Sequence, residues 1–184
     1  MPLKPWKLIQ SNFPFIHKWY RLRKDIVELP NGRIVDDYFV SERPDVVLVF
    51  PITVDGDVIF VRQYKHGASA ILVELPGGTF DRDTETAESA AQRELMEETG
   101  YSYSSLEKIA VLVDNPTKDT NKIHVYIARG VSKTDEQSLD ENEEIEILSF
   151  HYSTLEDRIL NGEIQVSGTV AAIFISLKKY ALSL

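Results

Sequence analysis

The chain contains no cysteine, which excludes disulfides and thiolate metal sites and fits a reducing compartment. Positive charge is in short supply: 20 Lys and Arg stand against 29 Asp and Glu, a formal net charge of −9. Proteins that grip a phosphate backbone usually show a basic face, so this balance argues against a nucleic-acid partner. It leaves room for a phosphorylated small molecule, because a bound divalent cation can supply positive charge locally. Long apolar runs are missing too. The longest, Val46 to Ile52, is far too short to span a bilayer. The opening MPLKPWKLIQSNFPF has no continuous apolar core of the signal-peptide type. A cytoplasmic protein without a membrane partner is expected.

What is present suits one ordinary globular domain with a small appendage: 184 residues, 43% hydrophobic and 27% charged. Residues 18–41 read as a hairpin around Pro30-Asn31-Gly32, a strong turn signal. DVVLVFPITV and VIFVRQY flank Asp55-Gly56-Asp57 and read as a second hairpin, β-branched enough for interior strands. A short strand, ILVEL, runs into Pro76-Gly77-Gly78, which is expected to end it. Residues 84–99 form a helix with Gly100 at its C-cap. Strands are expected near 106–113, 122–129 and 145–151, and helices near 153–161 and 169–181. The acidic run TDEQSLDENEE lies between the last two strands.

The helix ends in RELMEETG, with three glutamates in five positions. At 100° per residue, with Glu94 as origin, Glu97 falls near about −60° and Glu98 near about +40°. Ala87, Ala90 and Ala91 fall in the same sector, so the carboxylates continue the small-residue stripe instead of opposing it. Like charges at these spacings cost a few tenths of a kcal/mol per pair when solvated. The C-terminal half of a helix is also the wrong end for anions. Two readings remain open from these residues. One is a solvated acidic helix end partnered by Arg93 and Lys108. The other is a site for a hard divalent cation, which takes oxygen ligands. A calcium loop opening at Asp81, Asp83 and Glu85 fails, because its sixth position is Thr86 and its twelfth is Gln92.

GGTFDRDTETAESAAQRELMEETGY resembles the Nudix box: a glycine, five residues, Glu, seven residues, then Arg-Glu-apolar-x-Glu-Glu-x-Gly-apolar. Glu85, Arg93, Glu94, Leu95, Glu97, Glu98, Gly100 and Tyr101 all match, while six residues instead of five separate Gly78 from Glu85. Three further features resemble the ADP-ribose and nucleoside-diphosphate-sugar branch of that family. These are VRQYKHG followed by VELPGG, Pro116 sixteen positions beyond Gly100, and SLDENEEIEIL followed by NGEIQVSGTVAAIF.

The resemblance implies an α/β fold: a Nudix α/β/α sandwich with a mixed sheet, preceded by an N-terminal antiparallel β-hairpin extension. Its boundaries would be 1–44 for a β-rich dimerisation segment and 45–184 for the hydrolase domain. It implies a cofactor of Mg²⁺ or Mn²⁺, two to three ions per site, held by Glu94 and Glu98 with Glu97 assisting and the Gly77 carbonyl as a backbone ligand. Arg93 would orient the glutamates, and Glu85 would brace the loop or reach the ions through water. Glu141 would be the general base and Glu143 a further metal contact, with Glu143 and Glu144 able to take the base's role after a small shift. Arg62 and Lys65 are candidates for the diphosphate, and His66 is either a ligand contact or a loop histidine. Trp19, Tyr20, Tyr38 and Phe39 are candidates to stack on a base, with core packing as their competing role.

The implied activity is metal-dependent hydrolysis of a nucleoside diphosphate sugar, ADP-ribose first and GDP-mannose second. The implied partners are that small substrate and a second copy of the chain, joined through the N-terminal strands. The alternatives are a housecleaning pyrophosphatase for free nucleoside triphosphates and a non-catalytic nucleotide-sugar sensor. The sensor would be expected to have lost box glutamates, and this chain keeps them all.

Overall fold

The computed structural model describes residues 2–18 and 20–181, and the chain divides into two units. One comprises Met1–Pro44 with Val113–Lys122, the other Asp45–Leu112 with Ile123–Leu184. Trp19 lies outside the described residues.

The first unit is a three-stranded antiparallel sheet of β1 (Lys7–His17), β2 (Tyr20–Glu28) and β3 (Ile34–Glu42), in that order. The expected β2–β3 hairpin forms around Gly32, whose φ of +83° and N–H bond to the Leu29 carbonyl (2.9 Å) close the turn. β1 precedes the expected hairpin and was not among the named strands; Pro14 removes a ladder donor from its middle. The structure places Pro14 at a register shift between Asn12 and Phe15, where a missing N–H is tolerated. Val27 and Val40 are buried here. So is Asp25, which accepts from Ser11 Oγ (2.6 Å) and from Arg23 Nε (3.0 Å). The 113–122 segment is tied to β3: Ser41 donates to the Lys118 carbonyl (2.6 Å) and Tyr38 Oη to that of Thr117 (2.8 Å). Tyr20 and Phe39 are exposed.

The second unit is built on β4 (Asp45–Ile52), β5 (Asp57–Lys65), β6 (Ala70–Glu74) and β7 (Gly77–Phe80). After these come α1 (Ala87–Thr99), β8 (Tyr101–Ser102), β9 (Ser105–Val113), β10 (Lys122–Arg129), β11 (Ser132–Lys133), β12 (Glu146–His151), α2 (Leu155–Leu160) and α3 (Ser167–Ala181). The main sheet runs β12-β5-β4-β10-β9, with β6 on β5 and β7 on β4. β10 is parallel to β4 while β5 and β12 are antiparallel neighbours, so the sheet is mixed.

Alternation along β4 builds two cores, one per face. Leu48, Phe50 and Ile52 pack with Leu155, Ala172 and Ile173 from α2 and α3. Val47 and Val49 pack with Ala90, Ala91 and Leu95 from α1. This is the expected α/β/α layering. Pro76-Gly77-Gly78 was expected only to end a strand, and does more. Pro76 breaks β6, then the chain changes partner and pairs Gly77–Phe80 with β4. A Cβ on Gly77 would lie 2.0 Å from the Val47 carbonyl oxygen, so this approach requires glycine.

Candidate active site

Helix α1 starts at Thr86, whose Oγ1 accepts from Ser89 N (3.1 Å), and ends at Gly100 with φ +70°. Its small-residue stripe docks on the sheet, and that docking carries the last glutamates inward. Glu98 is only 4% exposed. One of its oxygens accepts the Gly77 N–H at 2.8 Å. Burial pushes its carboxyl up to about 8; the Gly77 bond and Lys65 oppose this, while Glu94 and Glu143 add to it. Burial likewise raises Glu94, partly offset by Arg93. Beside it, a Cβ on Gly78 would lie 2.3 Å from Glu94 Oε1, so this glycine leaves the space the carboxylate occupies.

Arg93 bonds to three glutamates at once. Its Nε and Nη2 form a two-pronged pair with Glu85, both at 3.0 Å. Its Nη1 reaches Glu94 (2.8 Å) and Glu97 (3.0 Å). These bonds, the Glu85 pair foremost, raise the guanidinium pKa above its ordinary value. Glu85 is thereby tied to the helix through Arg93.

Glu94, Glu97 and Glu98 open onto a cleft of about 380 Å³ whose far walls are Gly77, Gly78 and Thr79, Gln63 and Lys65 of β5, and Ser138, Asp140 and Glu143 of the acidic loop. Lys65 Nζ is 3.0 Å from Glu74 Oε2. Among the described residues no three acidic or histidine side chains enclose an ion as they stand. Glu94 and Glu97 are turned to Arg93, and Glu98 to the Gly77 amide. The donor set nonetheless fits a hard divalent cation. Two carboxylates are held in desolvated positions that disfavour their charge, a third stands beside them, and all are oxygen donors.

The other candidates are distributed unevenly. Glu143 lines the cleft, its N–H bonded to the Asp140 carbonyl (2.9 Å); Glu141 is exposed and lines no part of it. Glu144 lines a neighbouring groove instead, as does Arg62, which is paired with Glu146 (Nε–Oε2 2.9 Å). His66 is exposed, in a 3₁₀ turn beside Tyr64, and lines neither. Sequence reasoning missed Gln63, Ser138 and Asp140. For Gln63 a signal existed: side chains two apart share a strand face, so Gln63 goes with Lys65 and not with Arg62.

Comparison with known proteins agrees with this geometry. Residues 42–165 match the family model described as NUDIX domain, and residues 6–41 match that of the nucleoside diphosphate sugar hydrolase N-terminal domain. An ADP-ribose pyrophosphatase of Bacillus subtilis (strain 168) is 34% identical over 154 residues, covering 83% of this chain and 80% of the relative. A methanol dehydrogenase activator of Bacillus methanolicus is 32% identical over 168 residues, covering 91% and 90%. A crystal structure of an ADP compounds hydrolase shares the fold, with TM-score 0.88 and 21% identity over 100% of this chain and 98% of that one. Over residues 42–165, the helix and its glutamates included, the chain matches the Nudix hydrolases, metal-dependent enzymes as a family, and to that family this chain belongs.

Proposed function

We propose that the chain hydrolyses the pyrophosphate bond of nucleoside diphosphate sugars, ADP-ribose foremost and GDP-mannose second, to a nucleoside monophosphate and a sugar phosphate. The observation that carries this reading is the cleft in which Glu94, Glu97 and Glu98 face Lys65 and Glu143. The match of residues 6–41 to a nucleoside diphosphate sugar hydrolase segment narrows the substrate class. Mg²⁺ or Mn²⁺, two to three ions, would be held by Glu94, Glu97, Glu98 and the Gly77 carbonyl. When bound they neutralise the diphosphate and acidify the attacking water.

The chain's own groups do the rest. Lys65 offers an ammonium to a phosphate oxygen, and Arg93 keeps the carboxylates apart and aimed. Glu143, which lines the cleft where Glu141 does not, takes the proton from water. Two copies associate through the N-terminal strands, and the protein works in the cytoplasm, which its lack of cysteine fits. The test is a panel of ADP-ribose, GDP-mannose, ADP-glucose, NADH and nucleoside triphosphates with Mg²⁺ or Mn²⁺. AMP and ribose phosphate from ADP-ribose are expected. Pyrophosphate from triphosphates, with the sugars untouched, would overturn the reading.

A further inference from the structure

We propose that Gln137 is a positioning residue whose side-chain amide clasps the neck of the acidic loop to the end of the glutamate helix. An α-helix leaves its last carbonyls without intrahelical partners. In α1 the loop that carries Glu143 supplies several of those partners. Ser138 N donates to the Glu97 carbonyl (2.9 Å), and Thr134 N and Asp135 N donate to that of Gly100 (2.9 and 3.0 Å). The Glu98 carbonyl is taken by Gln137 Nε2 at 2.7 Å, and the same nitrogen lies 3.3 Å from the carbonyl of Ile145.

A carboxamide nitrogen carries two hydrogens, one for each acceptor. Ile145 is buried and is where the loop returns to the sheet ahead of β12. Gln137 therefore joins three places with one group: the outgoing arm of the loop, its returning arm, and the backbone of Glu98. Between the arms, Asp140, Glu141, Glu143 and Glu144 are exposed, and Asp140 and Glu143 share the cleft with Glu94, Glu97 and Glu98 of α1. Like charges drive the loop off that helix. A neutral donor that satisfies two carbonyls holds the neck without adding to the repulsion, which a Glu or Asp there could not do. The loop's base thereby keeps a fixed origin on the backbone of Glu98 itself.

The inference rests on the reading that this loop supplies the proton acceptor, and it concerns placement, not metal binding. Gln137→Met keeps the size and removes the donor; Gln137→Glu does so with a polar side chain, should the first variant fail to fold. A misplaced catalytic group commonly costs up to about 10²-fold, so kcat should fall at least about tenfold, with KM and Mn²⁺ affinity within about twofold of wild type. Amide hydrogen exchange at 139–144 should quicken while that of α1 stays unchanged. Because both changes act through one group, Gln137→Met added to Glu143→Gln should lower kcat no further. An additive loss, an unchanged kcat, or a fall in Mn²⁺ affinity matching that in kcat would overturn the proposal. If the wild type turns over nothing in the substrate panel, the functional reading fails, and exchange at 139–144 still decides for or against the clasp.

Discussion

At the scale of single residues, the cleft is a place where burial opposes the charge of a carboxyl. Folding lifts the Glu98 carboxyl from an ordinary 4.5 to about 8, chiefly by burial. Between those values the folded chain keeps a proton that the unfolded chain has released. Stability without metal is therefore full below the lower value, declines as pH rises through the window, and levels off above about 8. The melting temperature of EDTA-treated protein should fall from pH 5 to pH 8, and Glu98→Gln should flatten that slope while reducing turnover by several orders of magnitude. Mn²⁺ should raise the melting temperature more at pH 8 than at pH 5, because it replaces the proton. A metal-free melting temperature that climbs across this window would contradict the burial account. The acidic loop gives a second test at this scale. Glu143→Gln should lower kcat by about 10²–10⁴-fold with KM little changed, whereas Glu141→Gln should stay within a few-fold. The reverse pattern would return the base to Glu141.

Elements decide which of these residues meet, and the two glycines after Pro76 separate fold from site. The Cβ of Gly77→Ala would lie 2.0 Å from the Val47 backbone oxygen, which cannot yield without parting β7 from β4. That of Gly78→Ala would first meet the end of the Glu94 side chain, which can swing away. Gly77→Ala should therefore lower the melting temperature or prevent folding. Gly78→Ala should leave it nearly unchanged and weaken Mn²⁺ binding, measured by titration calorimetry. Equal effects of the two on stability would show that β7 does not hold the site as described. How much of this the sequence disclosed follows from periodicity. The inward stripe of α1 was legible because 100° per residue places Glu94 and Glu98 beside Ala90 and Ala91 whatever the tertiary context. The bonds of Arg93 to Glu85, Glu94 and Glu97 join residues of one box motif, so their nearness was legible there. The partner change at Pro76-Gly77-Gly78 was not, since a strand's choice of neighbour is a long-range event with no local mark. Nor could the sequence say which carboxylate of an aperiodic loop lines the cleft, as Glu143 does, its N–H bonded back to the Asp140 carbonyl. β1, with Pro14 in its middle, lacks the regular alternation and turn signal that marked the hairpin after it.

At the scale of the whole molecule, the first unit raises the question of what covers it. Every residue of β1 is exposed, and the strand carries Leu8, Ile9, Phe13, Phe15 and Ile16, with Trp6 just before it. Ile16 is 65% exposed and Phe15 51%. An edge strand with this composition is open to association, and aromatic residues are enriched in interface cores. A second copy of the chain is the proposed cover, so light scattering at micromolar concentration should give twice 20.9 kDa. Removing residues 1–44 is a poor test, because Ser41 and Tyr38 hold the 117–118 backbone and their loss would disturb that segment as well. Surface charge is cleaner. Phe15→Glu combined with Ile16→Glu changes side chains that are already exposed, so the protomer should fold with its circular dichroism intact. It should elute as a monomer and, if each cleft relies on its partner, show a raised KM while binding Mn²⁺ as tightly as the parent. A wild-type mass near 20.9 kDa with full activity would refute both the dimer and the shared site. A dimer that survives the double charge substitution would place the interface elsewhere than on β1.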